Sequence, residues 1–219
     1  MINFAIVVPV YNEESTLYKT IYELKRFDYP VLYVNDGSDD RTPIILQETN
    51  SDYITYTLNR GKGYAIQQGA EELIKRGYEW ILVIDADRQM NLKDIPILIC
   101  GAERPNIKLV IGNRMHNPIG MPLIRRLVNK FMSWLISIFI EQKVIDSQCG
   151  YRMIHKDVFN LEFESNRFEF ESEMIIKVGL KDWKIINVPV TCIYHKNRQS
   201  KIHPIKDGIR FIDMFLRFI

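Results

Sequence analysis

Through the first half of the chain, short apolar runs alternate with longer stretches in which apolar residues recur at helical spacing. The continuous runs predict strands over 4–10, 31–35, 53–57, 80–84 and 108–112. Between them, Leu17, Ile21 and Leu24 share one helical face, as do Ala65, Gly69 and Leu73. Near-continuous apolar strands separated by helices describe an α/β domain with a mostly parallel sheet and helices on both faces. The second half is less regular: a long apolar helix near 122–142, a polar loop, a helix near 170–179, a strand near 187–194 and a terminal amphipathic helix. No linker rich in Gly, Pro or Ser and no repeat separates the halves. One domain over 1–219 is expected, with a half to about residue 115 and a second over 116–219 sharing its core.

Composition narrows the class. With 47% hydrophobic and 26% charged residues, the 219 residues fit a globular domain rather than a disordered or fibrous one. Lys+Arg 29 against Asp+Glu 27 leaves +2, without the clustered positive excess expected of a nucleic-acid binder. The three cysteines, Cys100, Cys149 and Cys192, have no CxxC spacing and read as thiols in a reducing compartment. No basic region precedes the apolar start, and Glu13-Glu14 follows it at once, unlike a secretory signal. The longest uncharged apolar run, 131–140, falls short of the roughly 18–20 residues of a membrane span. A cytoplasmic protein is expected, with room for peripheral contact at the cytoplasmic face of a membrane.

Three predicted strands end in polar clusters: Pro9-Val10-Tyr11-Asn12-Glu13-Glu14, Asn35-Asp36-Gly37-Ser38-Asp39-Asp40 and Asp85-Ala86-Asp87-Arg88-Gln89. The crevice beyond the carboxyl ends of parallel strands is where ligands bind in such sheets. Carboxylates converging there need a cation or hydrogen-bond donors. Asp85 and Asp87, one residue apart at a strand end, suit Mg2+ or Mn2+ shared with diphosphate oxygens, with Gln89 as a further oxygen donor; a plain turn is the alternative. Asp36-Gly37-Ser38 reads either as a turn or as a carboxylate for a ribose or base. Asn59-Arg60-Gly61-Lys62-Gly63 is either a loop or a helix start suited to an anion. The P-loop and GxGxxG patterns are absent.

In order and spacing, these segments together with Gly112-Asn113-Arg114 resemble the inverting family-two glycosyltransferases. Asp146-Ser147-Gln148-Cys149-Gly150-Tyr151-Arg152 and Ser200-Lys201-Ile202 extend the resemblance to the dolichyl- or polyprenyl-phosphate sugar transferase branch (dolichol-phosphate mannosyltransferase-like). The resemblance implies a GT-A type fold and a nucleotide-diphosphate sugar donor, UDP- or GDP-hexose. It implies that Pro9, Tyr11, Glu13 and Asp36 hold the nucleoside with Lys62 nearby, and that Asp85, Ala86, Asp87 and Gln89 form the metal and diphosphate site. Arg114, with Arg125 or Arg126, would face the phosphates or the acceptor. The signature's arginine is displaced here: His195 stands in its usual place and Arg198 lies three residues before Lys201, so the phosphate contact stays open among these three.

Inverting transfer is a single displacement in which the leaving diphosphate must be stabilised. A hydroxyl acceptor requires a general base, whereas a phosphate acceptor is already anionic. Asp146 is the candidate base or acceptor-orienting carboxylate, with a helix-to-loop cap as its alternative. Glu173, in a segment similar to the family's acidic stretch, is a candidate for a structural or acceptor-side role, with Glu171 behind it. The 131–140 run and a terminal stripe of Ile205, Ile209, Ile212, Leu216 and Ile219 read either as core or dimer packing or as an interfacial surface meeting a lipid carrier. The expected activity is metal-dependent hexosyl transfer to a polyprenyl phosphate at the membrane surface. Transfer to a saccharide hydroxyl and a non-catalytic nucleotide-sugar-binding subunit are the alternatives, and homo-oligomerisation stays open.

Overall fold

Runs of Val, Ile and Leu that are apolar on successive residues satisfy a strand only when both faces of the sheet are covered. In the computed structural model, which describes residues 2–194 and 204–218, with only the backbone for 204–207, all five strands expected in the first half form. They are β1 (Phe4–Val10), β2 (Val31–Asp36), β3 (Tyr53–Tyr56), β4 (Trp80–Val83) and β5 (Ile107–Asn113). The second half adds β6 (Arg152–His155) and β7 (Lys184–Pro189). The seven strands lie in the order β3-β2-β1-β4-β6-β5-β7. All neighbours pair in parallel except β6, which runs antiparallel between β4 and β5.

Among the described residues seven α-helices accompany the sheet: α1 (Leu17–Lys25), α2 (Thr42–Glu48), α3 (Lys62–Lys75), α4 (Ile95–Ala102), α5 (Leu123–Phe139), α6 (Phe170–Leu180) and α7 (Pro204–Leu216). The helical spacing seen in sequence does its work: Leu17, Ile21 and Leu24 of α1 and Ala65, Ile66, Ala70 and Leu73 of α3 are buried. Helix α3 lies across β1 and β2. Nearly all the buried apolar side chains between Ala5 and Phe215 belong to a single cluster.

Two expectations change, and the terminal stripe, left open between packing and an interfacial surface, divides. No strand was expected at β6, a four-residue strand, and it sets the site by bringing Arg152 opposite Val83. The last strand begins earlier than expected: among the described residues β7 is an edge strand beside β5, and beyond Pro189 Cys192 forms an isolated bridge with Met90. In α7, Phe211, Met214 and Phe215 are buried, whereas Ile209, Ile212 and Leu216 of the proposed stripe are exposed. Aromatic packing decides which face turns inward. The Phe139 ring meets Phe215 at 5.2 Å and Phe218 at 6.5 Å.

Candidate active site

Because β1, β2 and β4 run in parallel, the loops after them emerge at one edge of the sheet. The first two loops bind each other. The Asn12 N–H donates to Ser38 Oγ at 3.0 Å, the Glu13 N–H to Thr42 Oγ1 at 2.9 Å, and the Glu14 N–H to Asp40 at 3.0 Å. Glu13 is buried and accepts from the Thr16 hydroxyl at 2.7 Å. Tyr11 is exposed on this rim and Pro9 is half-buried.

Asp36, read as a turn residue or as a carboxylate for a ribose or base, is turned inward. It is buried, and its two oxygens accept the backbone N–H groups of Arg60 at 2.8 Å and Gly61 at 2.7 Å. These groups open α3, so a carboxylate already meets the positive end of that helix. The anion at this helix start is the protein's own. Gly61 sits at φ +107, and a Cβ there would lie 2.4 Å from the Asn166 carbonyl oxygen, which rules out a larger residue.

Lys62 follows directly and points to the DxD segment. Its Nζ lies 2.7 Å from Asp85 Oδ1 and 3.2 Å from Glu171 Oε1. Burial opposes the charge, yet the two carboxylates hold the lysine pKa above its ordinary range. Gly150 closes over the group: a Cβ there would come within 2.6 Å of Asp85 Oδ2 and 2.8 Å of Lys62 Nζ. The antiparallel turn into β6 makes that approach. The acid that reaches the site from α6 is Glu171, not Glu173.

Asp87 Oδ1 accepts from the Gln89 N–H at 2.9 Å, which shapes the turn. Gln89 is engaged elsewhere: its carbonyl accepts from the Ile193 N–H at 2.8 Å, and its side chain faces the Cys192 thiol at 4.0 Å. Among the described residues, no three His, Cys, Asp or Glu side chains gather as a metal cage. Two hard carboxylates are nevertheless the number that a Mg2+ or Mn2+ site uses when diphosphate oxygens complete it. The residues fit such an ion.

Deeper in, Asp146 is fully buried and takes four hydrogen bonds. Arg114 supplies its backbone N–H at 2.9 Å and its Nε and Nη2, both at 2.8 Å, and Asn129 Nδ2 adds one at 2.7 Å. Burial pushes the Asp146 carboxyl up, but Arg114 and Asn129 outweigh it and hold the pKa below the ordinary value. Neither Asp146 nor Arg114 opens onto solvent. Ser133 of α5 continues the network to Ser147 at 3.0 Å. Glu173 is likewise committed: it accepts from the backbone N–H groups of Glu164 and Ser165 at 3.0 and 2.8 Å and pairs with Lys177 at 2.8 Å. Asp146, the candidate base or acceptor-orienting carboxylate, and Glu173, the candidate for a structural or acceptor-side role, both hold internal donors in this structure.

Arg152 escaped the sequence reading except as a motif member. It is buried, and its guanidinium donates to the carbonyls of Cys149 at 2.8 Å, Ser147 at 2.7 Å and Glu171. It thereby fixes the 146–151 loop against α6. Asn129 and Ser133 were also missed, although two uncharged polar residues four apart share one face of α5, a readable signal. Arg125 and Arg126 are half-buried near the start of α5. His195, Arg198 and Lys201 lie outside the described residues.

A family model described as "Glycosyl transferase family 2" matches residues 5–162. The chain belongs to glycosyl transferase family 2. Members of that family transfer sugars, and this chain is a glycosyltransferase with a GT-A type fold. It is 31% identical over 209 residues to an uncharacterized protein of Methanocaldococcus jannaschii, covering 90% of each chain. It is 27% identical over 213 residues to a Methanococcus voltae protein named UDP-N-acetylglucosamine–dolichyl-phosphate N-acetylglucosaminyltransferase, covering 86% of this chain and 85% of that one. In structure it resembles glucosyl-3-phosphoglycerate synthase from Mycobacterium tuberculosis, solved with Mn2+, UDP and phosphoglyceric acid. That match has a TM-score of 0.74 at 18% identity and covers 98% of this chain and 78% of that one. Among the described residues of this glycosyltransferase, no helix is long and apolar enough to cross a membrane.

Proposed function

We propose that this glycosyltransferase moves a hexose from a nucleotide-diphosphate sugar to a polyprenyl phosphate, with inversion. The observation that carries the donor half is the pair Asp85 and Asp87 at the carboxyl end of β4, set against Lys62 at the start of α3. Asp85 and Asp87 would hold a Mg2+ or Mn2+ ion, which stabilises the leaving diphosphate as a Lewis acid. The M. tuberculosis enzyme was solved with Mn2+ and UDP, which supports this reading.

The chain's own groups do the rest. Lys62 places positive charge where the diphosphate leaves. Tyr11 and Pro9 flank the nucleoside at the rim, while Asp36 shapes the wall beside them by holding the 60–61 turn. Glu13, stitched to Thr42, keeps the rim rigid. Asp146 holds Arg114 as a fixed buried cation behind the site, and Glu173 secures the 164–165 segment. Arg198 and Lys201 are the remaining candidates for phosphate contact.

The state of the acids favours a phosphate acceptor. A hydroxyl needs a base within reach of its proton. Asp146 and Glu173, the two acids best placed by sequence for that task, are each bound by several donors. A phosphate monoester or polyprenyl phosphate needs orientation rather than deprotonation. The name of the M. voltae relative points the same way. The test is transfer of labelled sugar from UDP- and GDP-hexoses, with Mn2+, into an organic-extractable polyprenyl phosphate product. Product with the lipid phosphate supports the reading; transfer to an oligosaccharide hydroxyl and none to the lipid refutes it.

A further inference from the structure

Helix α5 is turned opposite to a helix of an ordinary soluble protein. The side it presents to the protein carries Asn129 and Ser133 beside Met132 and Ile136, all buried. The side it presents to solvent carries Ile124, Leu127, Phe131, Trp134 and Ile138, which are 57% to 74% exposed. At 100° per residue these five fall within a single apolar face opposite Asn129 and Ser133. Exposed apolar stripes of this length mark a surface that meets something. Here the polar half of the helix is spent on the Asp146 network, so core packing does not explain the apolar half.

The charges identify the occupant. From Asn113 to Ile140 the chain contains no acid; Lys130 borders the exposed face, and Arg125 and Arg126 lie half-buried in the first turn of the same helix. An apolar face with an aromatic residue and basic flanks matches the interface of an anionic bilayer. Helix α7 adds three large exposed apolar residues, Ile209, Ile212 and Leu216, and its end is tied to the end of α5 through Phe139, Phe215 and Phe218.

We infer that the exposed face of α5 lies in the headgroup region of an anionic membrane, with α7 beside it. The inference deepens the lipid-acceptor reading by naming the surface that brings the site to its substrate. It also gives α5 two roles: the face away from the bilayer holds Asp146, and through it Arg114. The exposed face and the Asn129 side chain that holds Asp146 are thus two sides of one helix.

The test is flotation of the full chain with vesicles of phosphatidylcholine alone or with added phosphatidylglycerol, compared with the Leu127→Asp/Phe131→Asp variant. Both positions are exposed, so the variant should keep the wild-type circular dichroism and melting temperature. The wild type is expected to float with the anionic vesicles, and the variant to bind at least about tenfold less. No flotation of the wild type, or equal flotation of the variant, overturns the inference. So does a wild-type dimer in sedimentation that the variant loses while vesicle binding is absent. Transfer to a short-chain polyprenyl phosphate in detergent separates the two claims. The variant should retain that activity, and loss of flotation with retained transfer locates the effect at the surface rather than at the site. Flotation without lipid-phosphate transfer by the wild type would refute the acceptor while leaving the surface standing.

Discussion

Replacing Asp146 with Asn removes one charge from a group that has no contact with solvent. The side chain keeps its size, but its new amide N–H groups face the Arg114 guanidinium and Asn129, which are donors themselves. Two or more of the four hydrogen bonds are lost, and a buried arginine is left without a counter-charge. Breaking a buried pair from one side costs about 3–5 kcal/mol. For a chain of this size each kcal/mol lowers the melting temperature by about 2–4 °C, so Asp146→Asn should melt about 6–20 °C below wild type. The pH dependence has a definite sign. Since the folded Asp146 pKa is depressed, the pair's contribution is complete above the unfolded value of about 4 and is lost as pH falls through the folded value. Urea unfolding of both proteins from pH 7 to pH 3 should therefore show a wide stability gap that narrows in acid. Arg114→Met/Asp146→Leu, which removes both charges, should be more stable than Asp146→Asn alone. Melting within about 2 °C of wild type, or a gap that is constant with pH, would refute this account of the pair.

Other substitutions test neighbouring parts. Gly150→Ala places a methyl 2.6 Å from Asp85 Oδ2 and 2.8 Å from Lys62 Nζ; it should lower stability by about 1–3 kcal/mol in thermal melts and weaken nucleotide binding in calorimetry. Glu173→Gln should retain transfer activity within a few-fold while lowering the melting temperature, because Glu173 holds backbone and Lys177 rather than substrate; a hundredfold loss of kcat would return it to the chemistry. Arg152→Met removes donors to three buried carbonyls; a loss of about 2–4 kcal/mol in urea unfolding is expected, since each carbonyl is left unsatisfied.

The first half of the fold was readable because its code is redundant. Strands such as Phe4–Val10 are apolar on both faces, and polar clusters mark their ends. The second half was less readable because its structure rests on long-range polar contacts. Strand β6 is short and its first residue is Arg152, whose burial is possible only because three carbonyls from the 146–151 loop and α6 surround it. Residue type told where the acids cluster but not which way they turn. Asp36, Asp146 and Glu173 all point into the protein to satisfy backbone or arginine donors, and Glu171, two residues before Glu173, reaches Lys62 instead. Whether the 131–140 run of α5 packs inside or lies at an interface stayed open in sequence for a related reason. Periodicity shows that a helix has two faces, and only the Asn129–Asp146 contact tells which face is inside.

The most direct test of the central claim is a thermal-shift measurement with UDP and GDP, with and without Mn2+, on wild type and Asp87→Ala. At a nucleotide concentration about a hundred times its Kd, binding stabilises by about 2.7 kcal/mol, an upward shift of about 5–11 °C for a chain of this size. The account predicts that shift for one nucleotide in wild type with Mn2+, and its loss both without the metal and in Asp87→Ala. An equal shift without Mn2+, or one that survives in Asp87→Ala, would contradict it.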